Sequence, residues 1–122
     1  MTKAQAGILA PLAEQGRYVF FTLADSGAAL TSALSKLQAT AADGKVVVGI
    51  GLQVLQKMGK QLSLMRDFPH LKGPIFEVPC TPYALCLWLR SDQRGELLAM
   101  TAKLISMLAP AFKIDHTVDT CT

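Results

Sequence analysis

Apolar and polar positions alternate with a period of two, or run together in short stretches, at four places in the chain. At two other places they recur about every 3.6 residues. Arg17-Tyr-Val-Phe-Phe-Thr-Leu23 is β-branched and aromatic and predicts a strand. Asp25 and Ser26 are suitable caps for the helix that follows, in which Leu30, Ala33, Leu34, Leu37 and Ala41 share one face and Thr31, Ser35 and Gln38 the other. Asp43-Gly44 is its stop signal. Lys45-Val-Val-Val-Gly-Ile-Gly51 predicts a short apolar strand bounded by glycine, and residues 52–62 a short helix interrupted by Gly59. Tyr83-Ala-Leu-Cys-Leu-Trp-Leu-Arg90 is the clearest strand. Ser91 or Asp92 caps a second helix striped by Leu97, Leu98, Thr101, Leu104, Ile105 and Leu108 and ended by Pro110, and Phe112–Val118 alternates as a last strand. Residues 1–16 and 63–82 predict irregular chain. The second stretch holds Pro69, Pro74, Pro79 and Pro82, and its length marks an interface or functional loop.

The order β-α-β-(loop)-β-α-β predicts one α+β domain over residues 1–122. Its fold is ferredoxin-like, a four-stranded antiparallel sheet with both helices on one face. Strand alternation divides the sheet residues into two sets. Val19, Phe21, Leu23, Val46, Val48, Ile50, Leu85, Leu87, Leu89, Phe112 and Ile114 are uniformly apolar and belong beneath the helices. The opposite set is Tyr18, Phe20, Thr22, Val47, Gly49, Ala84, Cys86, Trp88, Lys113 and Asp115. It is mixed, yet an antiparallel sheet with one wet face is polar there. Tyr18, Phe20, Val47, Cys86 and Trp88 therefore mark a packing face. Either loop 63–82 folds over it, or a second sheet packs on it at about 10 Å, from another domain or another copy.

Composition agrees with a covered face: 51% of the 122 residues are apolar and 17% charged. No apolar run is long enough to cross a membrane, and the N-terminus lacks the apolar core of a secretory signal. A net charge of +3 does not argue for nucleic acid. Cys80, Cys86 and Cys121, without CxxC spacing, fit free thiols in the cytoplasm.

Candidate chemistry is sparse. His116 has the chemistry of a haem ligand, but on strand alternation it shares a face with Phe112 and Ile114, where a hydrogen-bonded core histidine is the simpler reading. His70 lies in the loop without a partner pattern. Cys86, between leucines, reads as a small hydrophobe, and with Cys80 it lacks the spacing of a metal site. Asp115 and Asp119 flank His116 as solvated acids. Gly49 and Gly51 are an incomplete phosphate loop, better read as a tight turn or close sheet packing. Arg66 and Asp67 read as a surface ion pair. An RNA-binding sheet of the RRM type shares the element order, but this sequence lacks its aromatic RNP consensus.

Gln5-Ala-Gly-Ile-Leu9, Val48-Gly-Ile-Gly51, Met65-Arg-Asp-Phe-Pro69 and Pro79-Cys-Thr-Pro82, in this order over nearly the whole chain, resemble the N-terminal half of the DyP-type (dye-decolourising) haem peroxidases. The resemblance implies two ferredoxin-like domains whose sheets face each other, haem b in the full-length protein, and peroxide-driven oxidation of dyes or phenolic compounds. It also implies a tendency to oligomerise, and in some members a place inside encapsulin shells. The family's distal aspartate lies in a Gly-x-x-Asp-Gly motif beyond the matched region, and its proximal histidine and distal arginine lie in the second domain. This sequence contains no Gly-x-x-Asp-Gly. The resemblance thus assigns no catalytic residue here, and it implies that the haem-bearing C-terminal domain is absent from this chain and that no haem is stably held by it alone. The alternative is a stand-alone domain that dimerises sheet to sheet, as dimeric α+β barrels do, around a small apolar ligand.

Overall fold

The computed structural model describes residues 4–24, 27–60, 66, 69–80 and 82–121. A one-turn helix α1 (Ala6–Leu9) precedes strand β1 (Gln15–Leu23), helix α2 (Ala28–Ala41), strand β2 (Val46–Ile50) and the short helix α3 (Leu52–Lys57). A two-stranded hairpin, β3 (Leu71–Lys72) and β4 (Glu77–Val78), leads to strand β5 (Leu85–Ser91), helix α4 (Arg94–Leu108) and strand β6 (Phe112–Cys121). The main sheet is ordered β2-β5-β1-β6 with every neighbour antiparallel. Strands β1 and β2 are consecutive in the chain but not adjacent in the sheet, because β5 inserts between them; that is the ferredoxin-like split βαβ arrangement.

Helix α2 packs on β2, and α4 on β5, β1 and β6, all from one side. The core lies in that layer. Val19, Phe21, Val46, Leu85, Leu87, Leu89 and Phe112 rise from the sheet to meet Leu30, Ala33 and Leu37 of α2 and Leu97, Leu104 and Leu108 of α4. Replacing any of these buried leucines by alanine is expected to cost about 2–5 kcal/mol.

Helix boundaries follow backbone chemistry more than the expected caps. Asp25 and Ser26 lie outside the described residues; α2 starts after Gly27, which makes no side-chain cap. It ends as expected, with Gly44 at φ +82° and the Asp43 carboxylate accepting from the Lys45 N–H. For α4 the N-cap is Gln93, not Ser91 or Asp92. The Ser91 hydroxyl accepts from the Gln93 N–H and donates to Glu96, whose charge suits the first turn. Asp92 instead accepts from the Glu14 N–H and ties down the chain before β1. Helix α3 stops before Gly59, at φ +70°.

Two stretches expected to be irregular contain structure: α1 in the first sixteen residues and the β3–β4 hairpin in the long loop. Two-residue strands carry no readable period, and so the pattern concealed them. Asp67 lies outside the described residues, and with it the expected Arg66–Asp67 pair.

Candidate functional site

The second face of the sheet is assembled by register. Tyr18 opposes Trp88, Phe20 opposes Cys86, Val47 opposes Trp88 and Gly49 opposes Cys86, so these residues project to the side away from the helices. The rings order themselves in cross-strand pairs. Tyr18 and Trp88 stack with centroids 5.7 Å apart, and Phe20 stacks on His116 at 4.6 Å. Tyr83 tilts against both Phe20 and His116, at 5.1 and 5.4 Å. Tyr18, Phe20, Val47, Cys86 and Trp88 are all half-buried.

His116 is on this face, and not with Phe112 and Ile114. Phe20 pairs with His116 while Phe21 pairs with Ile114, so Asp115 is an extra residue that bulges out of the β1–β6 ladder. A single inserted residue reverses the alternation beyond it. The same reversal sends Asp119 to the helix side, where it accepts from Arg17 Nε at 2.6 Å and from Arg94 at 2.6 Å. Asp115, kept on the ring side, lies 2.6 Å from His116 Nδ1. Ala84 also departs from the expected alternation: it precedes the strand and is buried with the core.

The electrostatics of the face are quiet. Burial pushes the Cys86 thiol up, which favours the neutral form and agrees with a packing role over a nucleophilic one. Burial against its neighbours, and then the Asp115 charge and hydrogen bond, push the Tyr83 phenol up. His70, expected to be an unpartnered loop histidine, pairs through Nε2 with Glu77 across the hairpin. Cys80, Cys86 and Cys121 are free, and among the described residues no three His, Cys, Asp or Glu side chains gather as a metal site.

One corner of the face is covered by a part of the chain that the sequence left unassigned. Arg90, only 5% exposed, lies 4.6 Å over the Trp88 ring and donates to the carbonyls of Gly7, Ala10 (3.0 Å) and Pro11 (2.6 Å). The Gln5 amide accepts from the Val48 N–H at 2.8 Å and donates to the Val48 carbonyl at 2.7 Å, replacing a missing strand at the β2 edge. The one sequence signal for this was a lone arginine ending an apolar strand. Loop 63–82 does not take the covering role in its described part: every residue of 69–79 is exposed.

No protein-family model matches the chain, and no curated protein matches it in sequence. Solved structures do match in fold. A DypB variant of Rhodococcus jostii in complex with heme superposes with a TM-score of 0.80 at 17% identity, covering 97% of this chain and 44% of that one. A putative DyP-type peroxidase from Shewanella oneidensis gives 0.75 at 19% identity, covering 99% and 43%. A dye-decolorizing peroxidase from Bacteroides thetaiotaomicron gives 0.75 at 15% identity, covering 92% and 41%. The chain thus has the ferredoxin-like fold found in these peroxidases and spans less than half the length of each.

Proposed function

We propose that this chain is the first ferredoxin-like half of a DyP-type haem peroxidase, and that its ring-lined sheet face is the seat of a second ferredoxin-like sheet. The observation that carries this reading is that open apolar face, in a chain whose fold matches DyP-type peroxidases over 41–44% of their length. The full-length protein would use peroxide to oxidise dyes or phenolic substrates at haem b.

The described residues do not themselves fit a haem site. Both imidazoles are about half exposed, His70 on the hairpin and His116 on the sheet face. Each already has a carboxylate partner on one nitrogen, Glu77 and Asp115. Neither lines the groove between α2, β2 and α3, nor the smaller clefts beside Gly16 and beside Met107. The haem ligand and the groups that act on peroxide are therefore assigned to the second half, and the contribution of this half is shape and apolar area: Tyr18, Phe20, Val47, Cys86 and Trp88 exclude water from the joint between sheets.

The intact mass of the protein made in its native host tests the reading. A mass more than twice 13.1 kDa is expected. A native mass of 13.1 kDa overturns it and leaves a stand-alone, sheet-to-sheet dimer. A hemin titration of the 122-residue chain tests the assignment of chemistry: peroxide-dependent dye turnover by this chain alone would overturn it.

A further inference from the structure

Most side chains that a second sheet would cover on the ring-lined face are apolar or aromatic. One cluster is different. It lies where the Asp115 bulge turns His116 onto the face. Asp115 Oδ2 is 2.6 Å from His116 Nδ1, Phe20 stacks on the imidazole at 4.6 Å, and Tyr83 tilts against the same ring at 5.4 Å. The Tyr83 phenol also hydrogen-bonds to Asp115. Rings on two sides hold the plane of the imidazole, and the carboxylate sets its tautomer. A carboxylate only accepts, so Nδ1 carries the proton. Nε2 is then an acceptor, and among the described residues nothing donates to it.

The charge of the cluster is as unbalanced as its hydrogen bonds. With a neutral imidazole it carries one negative charge, on Asp115. The groups around it leave that charge uncompensated. Tyr18 and Phe20 on β1, Cys86 on β5, Val118 on β6 and Tyr83 before β5 are neutral. Lys113, further along β6 opposite Thr22, is exposed and makes no ion pair with Asp115. Arg90, beyond Trp88, gives its donors to the carbonyls of Gly7, Ala10 and Pro11. With the face open, water serves both needs, because His116 and Asp115 are 44% and 43% exposed. Covering the face takes that water away, and a charge or an acceptor buried without a partner is costly.

We infer that the second half places a cationic side chain, a lysine or an arginine, against His116 Nε2 where the joint closes over Asp115. One such group meets both needs: its N–H donates to Nε2, and its charge balances the carboxylate behind the imidazole. A proton on Nε2 meets only one of them, since it balances the charge but makes Nε2 a donor that still lacks an acceptor. An apolar cover meets neither. The pair also fixes how the two sheets sit, because rings pack in many registers and a single donor–acceptor pair in one. The inference rests on the reading of this chain as one half of a two-sheet protein.

Urea unfolding of the full-length native protein and of the 122-residue chain tests it. His116→Phe keeps a ring on Phe20 and removes Nε2; Asp115→Asn keeps the shape and removes the charge. Each is expected to lower the midpoint of the full-length protein by more than that of the 122-residue chain, because each strands the cation of the second half. The gap between the two wild-type midpoints is expected not to widen from about pH 8 to about pH 6, the range in which an imidazole gains its proton. For either variant, a shift no larger in the full-length protein, or a rise in its midpoint, shows a joint without the cation and overturns the inference. So does a gap that widens on acidification, which would mean that the imidazole supplies the charge itself. A native mass of 13.1 kDa overturns the two-half reading and this inference with it. The other adverse outcomes overturn the inference and leave that reading standing.

Discussion

Arg90 ties together segments far apart in the chain through a single side chain. A guanidinium has five donors and no acceptor, and when buried it must direct them at oxygen. Here they go to three carbonyls of the lead-in, while the plane of the group lies on Trp88. Arg90→Ala would leave those carbonyls without their donor and loosen residues 7–11 from the sheet, with Gln5 still held at Val48. It is expected to cost about 2–3 kcal/mol in urea unfolding and to speed amide exchange at Gly7–Ala10. Asp119 has a milder role that depends on pH. Arg17 first, by its hydrogen bond, and then Arg94 hold the Asp119 carboxyl below its usual 3.8, against the opposing effect of burial. A carboxylate lowered in the folded state contributes stability above its unfolded value and loses it as pH falls through the folded one. Asp119→Asn is therefore expected to bring the unfolding midpoints at about pH 7 and about pH 3 closer together, by no more than about 1 kcal/mol, as for an ion pair near the surface. Glu96 follows the same sign: hydrogen bonds from Lys45 and Ser91 hold it down. Lys45 is raised by the same partner, so its share is present below 10.5 and lost only on the alkaline side.

At the scale of elements, the β1–β6 ladder shows how one residue can reassign a whole half-strand. Up to Ile114 the last strand obeys the simple alternation; after the Asp115 bulge every side chain changes face. The period-two pattern over residues 112–118 is real, but it continues through a register shift that no count of apolar positions reveals. Gly51 illustrates the opposite case, in which a sequence suspicion has a concrete cause. A Cβ at this position would overlap the Tyr83 carbonyl oxygen, where β2 leaves the sheet beside the start of β5. Its backbone angles are ordinary for any residue, so the requirement is space, not conformation. Gly51→Ala is expected to cost about 1–3 kcal/mol by pushing that backbone apart, measured as a lower thermal midpoint. Gly59→Ala has open space around it and is expected to cost less, with its left-handed φ as the only source of strain.

For the whole molecule, two helices cover one side of a four-stranded sheet, and a short lead-in covers a corner of the other. The remainder is a band of stacked rings, which a second sheet would fill. Trp88→Glu tests its purpose without disturbing the core beneath the helices. It is expected to leave far-ultraviolet circular dichroism unchanged while abolishing association through this face, read by analytical ultracentrifugation of the 122-residue chain or by co-purification with the proposed second half. Unchanged association would sink the role given to the face. No helix among the described residues is long and apolar enough to cross a membrane.

The sequence by itself determined the order of elements, the apolar set beneath the helices and the existence of a second, partly apolar face. These follow from periodicity, which is a local property: 3.6 for a helix, two for a strand, broken at Asp43-Gly44 and Pro110. That Tyr18, Phe20, Val47, Cys86 and Trp88 share one face was legible for the same reason. The ferredoxin-like order of elements already implied that β5 lies between β2 and β1; only the tertiary structure decided where the ladder slips, and hence that His116 belongs with Phe20 and not with Phe112. It alone decided that the lead-in is clamped by Arg90 and Gln5, and that the long loop presents Phe76 to solvent and leaves the sheet uncovered in its described part. Each of these depends on contacts between residues far apart in the chain, whose pairing is set by hydrogen-bond satisfaction and packing in three dimensions; a one-dimensional pattern contains neither.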